Sequence, residues 1–202
     1  AGSTWHAAAG FHALNGDPNV AALQDYTIKL YKEIEEESGQ SLGLHMTGGL
    51  NFATNQSRWE QLQAGWATFK AIGVDTARLI DKKEIEELTQ GVIKTDDILG
   101  GLYDSNEGYL DPNGATYAFA GAAKKRGADV ILRNRVIELN QRPDGTWDVI
   151  TEKGTIHTEH VVNVAGLWAK QVGLMAGVDL PMTPMEHHYL VTDTVPSVAA
   201  LP

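Results

Sequence analysis

The sequence predicts a mixed α/β fold of the α+β type, with helices in the first half and strands in the second. Up to Gly127, apolar residues recur at helical spacing between turn signals. After Gly127 the chain turns to β-branched runs of strand length, such as ADVILRNRVIELNQ and TWDVITEKGTIHTEH. These two patterns define the predicted class.

The first predicted helix spans residues 19–38. An acidic EIEEES run occupies its outer face, Gly39 supplies the stop, and the predicted inward stripe comprises Leu23, Thr27, Leu30 and Ile34. LGLHMTGGLNFAT at 42–54 follows, with short apolar pieces that glycines interrupt. That pattern predicts a bent strand or a hairpin.

Three further helices are predicted before Gly127. Ser57 and Glu60 form a capping-box pattern ahead of an amphipathic segment that ends at Gly73. The segment DKKEIEEL at 81–88 also begins with an aspartate that is followed three residues later by a glutamate, which predicts a short helix. Asp111 then provides a cap, with a proline in the first turn of the following DPNGATYAFAGAAKK segment.

The second half is predicted to be rich in strands. Lys153-Gly154 reads as the tight turn of a hairpin. VVNVA at 161–165 reads as a buried strand, and HHYLVTD at 187–193 as a last strand beyond a break at Pro181–Pro184.

Composition excludes several classes of function. A net charge of −10 over 202 residues repels phosphate backbones, which argues against a nucleic-acid partner. No apolar run reaches the roughly 18 residues of a membrane-spanning helix. Because the chain has no cysteine, disulfides, thiolate metal sites and cysteine nucleophiles are excluded.

The opening AGSTWHAAAG is the first candidate site. Small residues at Gly2 and Ser3 allow close approach of a ligand to the backbone, and the Ser3 and Thr4 hydroxyls can bond a polar ligand. His6 suits the role of base, ligand or covalent attachment point, because a neutral imidazole is nucleophilic near neutral pH. The alternative is a helix start capped by Ser3 or Thr4, with His6 merely packed.

Two more stretches are candidates. In VVNVAGLWAKQVG, a strand–glycine–helix junction lets backbone N–H groups face an anionic ligand, although a tight connection also needs a small residue. In the predicted strand HHYLVTD, His187 and Tyr189 share one face, which suits either a substrate pocket or ordinary packing. No histidine–carboxylate cluster has metal-ligand spacing, and His157 and His160 point to opposite faces.

Five segments of the chain, taken in order, resemble a known family of proteins. Together they resemble the flavoprotein domain of the dimethylglycine and sarcosine dehydrogenases, within the D-amino-acid-oxidase-like FAD family, and they cover essentially the whole chain. They are GSTWHAAAG, LGLHMTGGLNFAT, GLYDSNEGYLDPNGATYAFAGAAKKRGA, DGTWDVITEKGTIHTEHVVNVAGLWAKQVG and HHYLVTD. The resemblance implies an incomplete FAD/NAD(P)-binding Rossmann-like domain interleaved with a mixed-sheet substrate domain.

The resemblance also implies roles for individual residues. His6 matches the histidine that carries FAD covalently in the family, with Gly2, Ser3 and Thr4 along the phosphates and ribityl chain. Val136 matches a strand residue beside the adenine, and His187 matches the first residue of an H-x-Y motif in the substrate pocket, with Tyr189 completing it. A second cofactor-contacting turn is implied at Ala165, Gly166 and Trp168.

The implied domains are interleaved along the chain. Residues 1–35 and 111–173 would belong to the FAD domain, and 36–110 and 174–202 to the substrate domain. The family's G-x-G-x-x-G fingerprint, which holds the pyrophosphate, is not found in these 202 residues. We therefore expect an internal fragment that binds FAD poorly and is inactive by itself.

The activity implied by the resemblance is oxidative demethylation of dimethylglycine or sarcosine by an FAD-dependent amine dehydrogenase or oxidase. Folate and an electron-transfer flavoprotein are the partners expected for the full-length protein, and oxygen is the alternative acceptor. The expected location is cytoplasmic, or the mitochondrial matrix in a eukaryote. The competing hypothesis is a non-catalytic module that keeps the fold and binds a small ligand or a protein partner.

Overall fold

The computed structural model describes residues 3–201 and divides them into two compact units. Unit 1 contains the residues up to Ala128 together with those from Thr192 onward, and unit 2 is Asp129–Val191. Compact units do not show which residues form the cofactor domain and which form the substrate domain. That assignment therefore stays a prediction.

The described residues contain six helices and eight strands. The helices are α1 (Pro18–Ser38), α2 (Gln56–Ala71), α3 (Lys82–Leu88), α4 (Pro112–Lys125), α5 (Ala169–Met175) and α6 (Pro196–Ala199). The strands are β1 (Gly10–Phe11), β2 (Gly49–Ala53), β3 (Ala77–Ile80), β4 (Gly100–Asp104), β5 (Gly108–Tyr109), β6 (Val136–Gln141), β7 (Trp147–Thr151) and β8 (Gly154–Thr158). The α+β prediction is confirmed.

The helix starts follow the predicted capping chemistry, with one exception. The Asp81 and Asp111 carboxylates accept bonds from the backbone N–H groups of Glu84 and Asn113, so the predicted acidic starts of α3 and α4 are confirmed. The predicted cap at Ser57 is wrong. Asn55 caps α2 by accepting the Arg58 N–H at 2.9 Å, which places Ser57 inside the first turn.

Helix α1 forms over the predicted range and ends at Gly39, whose φ of 72° is left-handed. Its buried stripe agrees with the prediction only in part. Ile34 is buried and Leu30 packs against the core as predicted. Leu23, however, is 64% exposed, and Ala21 and Ile28 are buried in its place. The reason is tertiary, because packing of α1 against α2 and α4 decides which side of the helix lies inward.

Unit 1 is built around a three-stranded antiparallel sheet in the order β2–β4–β3, which α2 covers. Phe69 and Leu62 of α2 are fully buried against Ala53 and Leu102 of the sheet. Each such side chain contributes about 1.5–3 kcal/mol of burial free energy. The predicted bent segment at 42–54 contains β2 and, before it, a bridge between His45 and Tyr109.

Unit 2 contains the antiparallel sheet β6–β7–β8. The predicted hairpin between β7 and β8 is confirmed, with its turn one residue earlier: Glu152 and Lys153 occupy it, and Gly154 pairs with Thr151. Strand β6 begins only at Val136, because Arg133 has a left-handed φ of 52° that interrupts the extended backbone.

Two strands predicted for the second half of the chain are wrong. Residues 161–165 and 187–193 are not extended in any ladder within the described chain. The predicted burial of 161–165 is also wrong, since Val164 is 85% exposed. A strand is stable only when its N–H and C=O groups pair with a neighbour, and within residues 3–201 neither segment has one.

Candidate functional site

The first candidate segment forms an exposed 3₁₀ turn at Thr4–His6. The Ser3 side chain makes no capping hydrogen bond, so the alternative interpretation of a capped helix start is not supported. The ring of His6 lies over that of Trp5, with 3.6 Å between centroids. His6 is therefore a solvent-accessible imidazole held against an indole. Gly2 lies outside the described residues.

In unit 2, the structure brings three predicted cofactor residues together. Val136 on β6, Ala165 and Trp168 line one groove of about 480 Å³, with Val172 and Met175 of α5 completing an apolar wall. Gly166 has a φ of 56°, a left-handed conformation that glycine adopts at little cost, and it begins the 3₁₀ turn that carries Trp168. We call this cavity the unit-2 groove.

The unit-2 groove fits a flat heteroaromatic ring such as adenine. The Trp168 indole offers a stacking surface, and the apolar wall suits the faces of a base, while peptide groups along β6 can bond its polar edge. The turn that begins at Gly166 and leads into α5 thus lies beside a concave site, although no strand precedes it within the described residues.

His187 and Tyr189 are not joined to this groove. Both are exposed in the irregular segment that follows α5, and Tyr189 is 62% exposed. Since the segment is not a strand, the predicted sharing of one strand face is wrong for this pair. Their role in a substrate pocket stays a prediction.

A larger cavity of about 720 Å³ lies within unit 1. The loop between β1 and α1, strand β2, helix α2 and the turn between β4 and β5 form its walls. Its polar lining comprises His12, Asn15, Asn51, Arg58, Gln61 and Glu107. We call it the unit-1 cavity.

Glu107 is the unusual group in the unit-1 cavity. It is only 7% exposed, and its carboxyl lies directly over the Cα of Gly49, where any side chain would overlap it. Burial, together with the negative charge of nearby Asp104, raises the pKa of Glu107 to about 7. Asp104 is itself buried, with Oδ1 accepting the Asn106 N–H at 2.9 Å.

Sequence reasoning missed the unit-1 cavity. Its polar residues are scattered over four elements, and DSNEG between two short strands is typical of a solvated turn. Only the glycines at 48 and 49 gave a signal, because glycine inside a strand pattern indicates close approach of another group. Here that group is the Glu107 carboxyl.

Within residues 3–201, no cluster of three or more histidine or acidic side chains has the arrangement of a metal site. No helix in the same range is both long and apolar enough to span a bilayer.

Comparison with known proteins identifies the family. The family model described as FAD dependent oxidoreductase matches residues 1–202. The chain belongs to this family. It is 38% identical to the mitochondrial dimethylglycine dehydrogenase of Rattus norvegicus and 34% identical to the mitochondrial sarcosine dehydrogenase of Mus musculus. Both matches cover 100% of the chain, but only 23% and 22% of the relatives, so it spans about a quarter of their length.

A solved structure supports the same assignment. The crystal structure of L-proline dehydrogenase from P. horikoshii superimposes with a TM-score of 0.79 and 26% identity, covering 88% of this chain and 46% of that one. The predicted membership of the D-amino-acid-oxidase-like family, its fold and its FAD dependence are therefore confirmed.

Proposed function

We propose that this chain is part of an FAD-dependent amine dehydrogenase or oxidase that demethylates an N-methylated glycine. The observation that carries the proposal is whole-chain similarity to relatives named dimethylglycine and sarcosine dehydrogenases, at 34–38% identity. Those names make dimethylglycine and sarcosine the leading substrates. They also favour the mitochondrial matrix for a eukaryotic source, with folate and an electron-transfer flavoprotein as partners of the complete protein.

In this proposal the unit-2 groove holds the adenine end of FAD. Val136 contributes its backbone beside the ring edge, and Ala165 and Trp168 cover its face, with Gly166 allowing the turn. The family resemblance would assign Gly2, Ser3 and Thr4 to the phosphates and the ribityl chain. The proposed FAD domain comprises 1–35 and 111–173, and the proposed substrate domain 36–110 and 174–202.

His6 is the proposed attachment point for the flavin. Its imidazole is exposed, which leaves a ring nitrogen accessible for a covalent bond. The neighbouring Trp5 ring restricts the directions in which the imidazole can point. A covalent link would retain the cofactor and make it a stronger oxidant.

His187 and Tyr189 are the proposed substrate residues. Bound FAD would supply a hydride acceptor for an N-methyl carbon of the substrate, and the iminium product would be hydrolysed or would pass its carbon to folate. The chain must therefore hold the amine unprotonated, because its lone pair stabilises the developing iminium. His187 would accept the ammonium proton, and Tyr189 would orient the substrate by a hydrogen bond.

A peptide mass map of the acid-denatured full-length protein tests the proposal. We expect the peptide that contains His6 to carry a flavin-sized adduct, and His6→Ala to abolish it. The matched control is His160→Gln, an exposed histidine on unit 2 whose replacement should leave the adduct intact. Flavin that is released on denaturation would refute the role of His6 and leave the family assignment standing. Complete absence of flavin would favour the non-catalytic binding module.

A further inference from the structure

The dipeptide Asn15-Gly16 lies in the loop that joins β1 to α1. Asparagine is a thermolabile residue, and it is most reactive before glycine, whose backbone nitrogen no side chain shields. The same dipeptide occurs a second time as Asn113-Gly114, in the first turn of α4. The protein therefore holds one reactive sequence in two different structural settings.

Three features of the loop favour a reaction at Asn15. Gly16 is exposed and lies outside the helices and strands. Within residues 3–201, no atom lies within 4 Å of the position that a Cβ would take on Gly16, so its backbone has room to rotate. The Asp17 N–H donates to Oδ1 of Asn15 at 2.9 Å. A donor at that oxygen stabilises the negative charge that develops there when a nucleophile adds to the amide carbon.

The second dipeptide is held rigidly by α4. The Asn113 N–H donates to the Asp111 carboxylate at 2.9 Å, which fixes the start of the helix. Gly114 is buried, and a Cβ placed on it would lie 2.7 Å from the carbonyl oxygen of Ser41. Rotation of this backbone toward the Asn113 side chain would therefore unwind the first turn and disrupt its packing.

We propose that Asn15 is a site of spontaneous deamidation, which adds a carboxylate to the wall of the unit-1 cavity. The backbone nitrogen of Gly16 forms a bond to Cγ of Asn15, and its proton leaves with the side-chain nitrogen as ammonia. The product is a five-membered succinimide ring. Water then opens the ring at either carbonyl and leaves aspartate or isoaspartate. No group is oxidised or reduced in these steps.

The modification changes both charge and backbone at the cavity. Asn15 lines the unit-1 cavity together with Glu107, so the product places a second carboxyl group in that wall. In the isoaspartate form the main chain runs through the former side chain, which lengthens the loop just before Asp17, the cap of α1. This inference goes beyond the proposed function, because the reaction requires neither flavin nor substrate.

Incubation of the folded full-length protein in warm, mildly alkaline buffer tests the inference, with peptide masses followed over time. We expect the peptide that contains Asn15 to gain one mass unit about tenfold or more faster than the peptide that contains Asn113. In concentrated urea both dipeptides are unfolded, and their rates should agree within about threefold. Equal rates in the folded protein would overturn the proposal, as would an unmodified Asn15 or a difference that persists in urea.

Variants complete the design. Gly16→Ala should slow the modification of Asn15 about tenfold or more, because the added methyl group hinders ring closure, while the open surroundings of Gly16 accommodate it. The matched control is Gly121→Ala on α4, where a Cβ makes only an ordinary contact of 3.5 Å with Ser38, and the rate at Asn15 should not change. Asn15→Asp supplies the aspartate product as a chromatographic standard.

The folding of each variant is checked by circular dichroism before incubation. Unchanged conversion of Asn15 in a folded Gly16→Ala protein would overturn the inference. That result would leave the proposed function intact, because the flavin adduct on His6 is measured separately.

Discussion

Replacing Glu107 by glutamine measures how much the burial of this carboxyl lowers the free energy of unfolding. The pKa of Glu107 rises from an ordinary 4.5 to about 7 in the folded protein. The folded state therefore binds the proton more tightly than the unfolded state does. The contribution of this proton to the free energy of unfolding is fully present below about pH 4.5 and is lost as the pH rises through about 7. Each pKa unit corresponds to about 1.4 kcal/mol, so the loss at pH 8 is about 3 kcal/mol, against about 1 kcal/mol at pH 5.

Glutamine has the same shape as the protonated acid but cannot ionise. We therefore expect Glu107→Gln to unfold at higher urea than the wild type at pH 8, by about 2–3 kcal/mol, and to differ little at pH 5. Tryptophan fluorescence follows the unfolding, since Trp59 and Trp66 pack against the core of unit 1. The reasoning is refuted if the two proteins have the same difference in stability at both pH values.

Four further changes have expected outcomes. Phe69→Ala should lower the free energy of unfolding by about 3–5 kcal/mol in urea titrations, because Phe69 is fully buried; a loss below about 1 kcal/mol would contradict its place in the core. Asp111→Ala should cost about 1 kcal/mol by removing the cap of α4, and Asp111→Asn should restore most of it. Gly49→Ala should cost about 1–3 kcal/mol, because the new methyl group displaces the Glu107 carboxyl; an unchanged urea midpoint would show that the carboxyl lies elsewhere. Trp168→Ala should weaken binding of adenosine monophosphate about tenfold or more in equilibrium dialysis, and equal binding would remove the indole from the proposed adenine site.

Local patterns predicted the helices well. The acidic caps at Asp81 and Asp111 and the left-handed stop at Gly39 lie where the sequence places them, because capping depends on neighbours only two to four residues away. The inward face of α1 was predicted less well. Which residues lie inward depends on the positions of α2 and α4, and no window of the sequence contains that information.

The prediction of strands from sequence depends even more on distant parts of the chain. The β7–β8 hairpin was predictable because its two strands are joined by a short turn. VVNVA and HHYLVTD have strand composition but no pairing within the described chain, and Val164 consequently lies exposed. Composition indicates the capacity to form a strand, whereas a hydrogen-bonded neighbour decides whether one forms.

The sequence by itself determined the family, through five ordered segments, and with it the FAD dependence and the candidate His6. It also determined the helices whose caps and stops are local. Tertiary structure alone decided that Val136, Ala165 and Trp168 share one groove. It also decided that Glu107 is buried beside a cavity that Arg58 lines as well, with no side-chain partner among residues 3–201. The physical reason is that desolvation and charge compensation depend on atoms brought together from distant parts of the chain, so no single stretch of sequence specifies them.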